Sequence, residues 1–158
     1  MAMTVASTLA TTAIGRQPCV RLNHDSVRSM SFGRSPTPLM RAVEIDNVEM
    51  LDALLAAEGN NRVDILRQNA AGFTAVTTAS FLPDRRETLQ KLLECAERRR
   101  QLRAILESRT SKEQGCRTAL MYAIDSDNTV AATTLLRFYR RIAETDAAEA
   151  SRLANLKA

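Results

Sequence analysis

At 158 residues the chain suits one domain, and with two Tyr, four Phe and no Trp its core has to come from Leu, Ala, Val, Ile and Met. The net charge of +4 is unevenly laid out: residues 1–41 carry five Arg against one Asp, residues 42–84 two Arg against seven acids, and residues 85–117 ten basic side chains against five acids. Three irregularly spaced Cys, one His and five scattered Gly argue against a disulfide framework, a catalytic Ser/His or Cys/His pair and a phosphate-binding loop, and no apolar run approaches the ~18 residues of a membrane span.

Residues 1–34 are rich in Ser, Thr, Ala and Arg, and Asp25 is the only acid before Glu44. This composition resembles an organelle transit peptide, plastid more than mitochondrial because the first Arg is Arg16; the alternative is a disordered or partner-bound tail. Either way the segment is expected to be dispensable for folding. Cys19 and His24 lie within it, but without a second ligand pair they do not make a zinc site. The odd Cys count fits a reducing, intracellular setting, the cytoplasm first and an organelle second.

Three segments then open alike: Thr37-Pro38-Leu39-Met40-Arg41-Ala42, Thr74-Ala75-Val76-Thr77-Thr78-Ala79 and Thr118-Ala119-Leu120-Met121-Tyr122-Ala123. Each is followed by a double leucine, at Leu54-Leu55, Leu92-Leu93 and Leu135-Leu136. Laid without a gap, Thr37–Leu55 and Thr118–Leu136 agree at eight of 19 positions. Thr suits a helix N-cap and Pro38 the first helical turn. Asp46-Asn47 and Asp127-Asn128 mark tight turns, and the double leucines belong to the second helix of each pair, as a core seam. Gly72, two residues before Thr74, stands where the backbone needs a positive φ. Ser35 and Cys116 hold that position in the other copies.

Between the second and third copies, residues 85–109 read as one long helix, with Pro83-Asp84 as its turn and N-cap. Its apolar stripe runs from Leu89 to Leu106, with Cys95 a small buried hydrophobe and Arg98-Arg99-Arg100 and Arg103 alongside. That basic tract is either a solvated face or a contact for an acidic protein partner. Nucleic acid would call for stacking aromatics, and residues 85–117 contain none. Thr145-Asp146 with Glu149 reads as the cap of a final helix over residues 147–156.

The signatures, their double leucines and Gly72 together resemble the ankyrin repeat. Copies 37 and 44 residues apart exceed the family's ~33-residue period, and Met40, Thr77 and Met121 stand where the family has His. The resemblance implies an all-α solenoid: a tail over 1–34, repeats over about 35–68, 69–109 and 110–143, and a capping helix over 144–158. It further implies a non-catalytic interaction module, with no cofactor or metal, binding a protein through its first helices and the tips between repeats. The matching positions are Arg41, Glu44 and Ile45 in the first copy, Thr78 and Phe81 in the second, and Tyr122, Asp125 and Ser126 in the third. Phe73 lies on a tip. A fixed subunit of a larger assembly and a free adaptor or inhibitor both fit.

Overall fold

The computed structural model describes residues 36–57 and 62–155. The described residues are all-α: helices α1 (Pro38–Glu44), α2 (Val48–Ala56), α3 (Ala75–Phe81), α4 (Arg86–Arg98), α5 (Leu102–Glu107), α6 (Ala119–Asp125) and α7 (Thr129–Asn155), with one 3-10 turn at Lys112–Gln114 and no strand among them. The tail, and with it Cys19, His24 and the transit-peptide reading, lies outside the described residues.

Each threonine of the repeated signature opens a helix. The backbone N–H of Met40, Thr77 and Met121 donates to the hydroxyl of Thr37, Thr74 and Thr118, at 3.3, 3.2 and 3.5 Å, which satisfies one donor that a helix start leaves unpaired. The residue at the His position completes the cap differently in the first two copies. Met40 Sδ accepts from the Thr37 N–H at 3.5 Å, and the Thr77 and Thr74 hydroxyls bond each other at 3.0 Å. Asp46 and Asp127 take φ values of 55° and 57°, and the Asn after each one caps the next helix. Gly72 has φ +79°, and Cys116 adopts φ +53° despite its side chain.

The helices pair as α1 with α2, α3 with α4 and α6 with α7, and the pairs lie side by side: α3 touches α1 and α6, while α4 touches α2 and α7. Every residue of α3 is buried. Apart from Phe81 at its end, its side chains are small, so its neighbours approach closely. Its hydroxyls bond back into the helix, Thr78 Oγ1 to the Thr74 carbonyl at 3.0 Å and Ser80 Oγ to that of Val76 at 2.7 Å. Leu51, Leu89, Leu92, Leu93 and Leu135 are fully buried, and Cys95 is buried among apolar side chains as expected. Leu136 departs from the leucine seam at 53% exposed.

Three expectations are corrected. Residues 85–109 are two helices: Arg100 is left-handed at φ 56°, and the N–H of Gln101 bonds the Ala96 carbonyl at 2.8 Å, closing α4. The bend lets Leu102, Ile105 and Leu106 join the core. The N-cap of α4 is Arg85, with no side-chain cap, because Asp84 sits at φ 59° in the turn itself. Among the described residues no separate C-terminal capping helix starts at Thr145. Residues 129–155 are one helix, in which the Thr145 hydroxyl donates back to the Ile142 carbonyl at 2.8 Å instead of capping a new start.

Candidate partner-binding surface

Four of the residues expected on the recognition face lie inside the molecule. Phe73, Thr78, Phe81 and Tyr122 are 0–3% exposed. Tyr122 reaches back from α6 to the preceding pair, its ring centroid 5.2 Å from that of Phe73 and 6.0 Å from that of Phe81, the latter edge-on. Such a cluster holds the second and third pairs together. Burial pushes the Tyr122 phenol above its ordinary value of 10.0. A partner cannot reach these rings without parting α3 from α6.

The other first-helix positions are nearer the surface and mostly engaged. Arg41 is exposed and pairs with Glu44 at 3.0 Å; the Asp125 carboxylate pairs with Arg117. The Ser126 hydroxyl donates to the Tyr122 carbonyl at 2.8 Å. Ile45 is 52% exposed at the end of α1.

The basic residues divide by role. Arg99 is structural: its guanidinium donates to the Leu55 carbonyl at 2.9 Å and to that of Val63 at 2.7 Å, holding the C-terminal end of α2. Arg103 is exposed but ion-paired with Asp146 of α7. Arg98 and Arg100 are exposed, with no ion pair among the described residues. Arg62, which the sequence does not single out, joins Arg98 and Arg99 around a cleft of about 580 Å³ beside Leu55 and Cys95. The chain separation of 36 residues between Arg62 and Arg98 hides this proximity from a linear reading.

Arg99 belongs to a set of side chains that bind the exposed carbonyl ends of neighbouring helices, groups that a helix leaves unpaired. Arg85 Nε donates to the Val43 carbonyl at 3.0 Å and its Nη2 to that of Glu44 at 3.3 Å, at the end of α1. Asn128 Nδ2 donates to the Ser80 and Leu82 carbonyls at 3.2 and 3.0 Å, at the end of α3. The Tyr139 hydroxyl donates to the Leu106 carbonyl at 2.8 Å, at the end of α5. These contacts fix the spacing of the pairs, and so the placement of everything on their surface.

The tips are also joined. Asn69, close to the tip residue Phe73, is 9% exposed, and its Oδ1 accepts from the N–H groups of Ala71 and Phe73. The Ser111 N–H donates to the Ala71 carbonyl at 3.0 Å. A Cβ on Gly72 would lie 2.5 Å from that Ser111 nitrogen, so glycine is needed for close approach as well as for φ. A groove of about 510 Å³ lies elsewhere, between the turns at Pro83–Arg86 and Ser126–Ala131.

Among the described residues no group of three His, Cys, Asp or Glu could hold a metal ion, and no helix is long and apolar enough to cross a membrane. Compared with known protein families, curated proteins and solved structures, the chain matches none.

Proposed function

We propose that the chain is a non-catalytic protein-interaction module of the ankyrin type, serving as a scaffold or accessory subunit of a larger assembly. The observation that carries this reading is the serial packing of three helix pairs, each first helix opened by the threonine of the repeated signature, around a shared apolar core. Such a stack presents an extended surface on which a partner can dock.

The contact surface assigned to the partner is Arg98 with Arg62 at the cleft, together with exposed Arg100 at the end of α4, and not the first-helix positions. These guanidiniums are exposed and can meet carboxylates bidentately. Exposed Glu94, Glu97 and Glu107 nearby favour a protein partner of mixed but mainly acidic charge over a polyanion such as nucleic acid.

Affinity capture with the full chain, and mass spectrometry of what it retains, tests this reading. Arg98→Glu with Arg100→Glu should remove the captured partner, while Arg41→Ala should leave it bound. Retention of the same partner by the double reversal would contradict the proposed surface.

A further inference from the structure

Successive helix pairs bury the same face. In α1, Met40 and Val43 are 0% exposed; at the matching positions of α3, Thr77 and Ser80 are 1% and 0%. On the second helices, Leu55 is 9% exposed and Leu93 0%. In the third pair those positions are Met121, Ile124 and Leu136, and they stand 47%, 63% and 53% exposed. The third pair therefore shows solvent the side by which the first pair meets the second and the second meets the third. Large side chains exposed together at registered positions differ from the single exposed leucines common on any surface.

We infer that this face of α6 and α7 binds the same face of a second copy of the chain about a two-fold axis. It continues the two contacts that already join the pairs within one chain, so its natural complement is an apolar helix pair. Among the described residues the far end of the row does not supply one. Where α6 carries Tyr122, α1 carries Arg41, exposed and paired with Glu44, and head-to-tail stacking would take that ion pair out of water at a cost. Face to face, Ile124 and Leu136 meet their own kind. Asp125 is already engaged by Arg117, and the Thr133 hydroxyl by the Thr129 and Val130 carbonyls. Arg137 and Arg140, beside Leu136, are exposed, and salt in the medium screens their repulsion across the contact. A two-fold contact closes at two copies, whereas a head-to-tail one would continue. None of the arginines proposed above for partner binding takes part, so either surface can fail without the other.

Sedimentation of the full chain from low to high micromolar concentration tests the inference. The mass should rise from 17.4 kDa towards twice that value. Ile124→Asp with Leu136→Asp should hold it at the monomer mass at every concentration with the helical circular dichroism intact. Should the double variant lose its helices, Ile124→Lys alone gives the same readout at a position 63% exposed. Met50→Asp, at the far end of the row, should leave the rise unchanged. A wild-type chain that remains at 17.4 kDa throughout overturns the inference. So does a Met50→Asp variant as monomeric as the Ile124 variant, since that result means head-to-tail stacking.

Discussion

Leu93 and Leu136 close the double leucine of successive helix pairs, yet one has no exposed surface and the other is 53% exposed. Their local settings are alike: each lies in the second helix of a pair whose first helix opens at a capping threonine. The difference comes from the neighbour on the next side of the row. Leu93 lies on a helix that α7 packs against, whereas the described chain places no further pair beyond Leu136. In a row of repeats a side chain's pattern says which way it points, and its neighbour decides whether it is buried. The same contrast separates Asn47 from Asn128. Both cap their own helix, but among the described residues only Asn128 has a preceding pair whose carbonyls its amide can reach.

Substitutions at matched positions sharpen this contrast. The largest effects belong to Leu92→Ala and Leu135→Ala, each emptying a fully buried site and expected to cost ~2–5 kcal/mol by chemical denaturation. That is a large part of the stability of a domain of this size, roughly 5–15 kcal/mol. Unchanged unfolding midpoints in both would remove the leucine seam as the core.

Gly72→Ala comes next. The left-handed backbone alone costs about 1–2 kcal/mol, and the new Cβ would strike backbone atoms of Thr110 and Ser111. Cys116→Ala, at the matching turn, keeps a Cβ already accommodated at φ +53° and should cost under about 1 kcal/mol. Equal losses in the two variants would show that the joined tips do not distinguish the turns.

Asn128→Ala should cost more than Asn47→Ala, by about 1 kcal/mol, because it frees the Ser80 and Leu82 carbonyls as well as a helix start. Similar losses would mean that the link from Asn128 to the preceding pair contributes nothing.

The smallest effect is alkaline. Burial raises both Tyr122 and Tyr139 above their ordinary value of 10.0. Ionisation is thus easier in the unfolded chain: their contribution is whole below pH 10 and is lost as pH rises through the folded values. Melting temperature should fall faster above pH 10 in the wild type than in Tyr122→Phe. Parallel curves would show that Tyr122 ionises equally in both states.

Local features were legible in the sequence because their causes are local. The threonine caps, the Asp-Asn turns and the positive φ of Gly72 each depend on residues within four positions. The links from Arg85, Arg99, Asn128 and Tyr139 to distant carbonyls span 33 to 48 positions and leave no local signal. For the same reason Arg99 reads as part of a surface tract although its guanidinium is committed inward. The break at Arg100 was hidden because an unbroken apolar stripe crosses it, and a left-handed arginine has no sequence mark. Phe81 and Tyr122 were expected on an open first-helix face. Their burial depends on the packing of α3 against α6 and on the aromatic contacts made there, which emerge only when the pairs are brought together.

The most direct measurement is a paired thermal melt of Leu93→Asp and Leu136→Asp, monitored by circular dichroism at low micromolar concentration. The pairs place the two leucines in one register and leave only the second open to water. Leu93→Asp puts a charge into the core and should abolish the cooperative transition, while Leu136→Asp should melt within a few degrees of the wild type. Two variants that both unfold, or both melt like the wild type, would contradict the serial packing of the helix pairs.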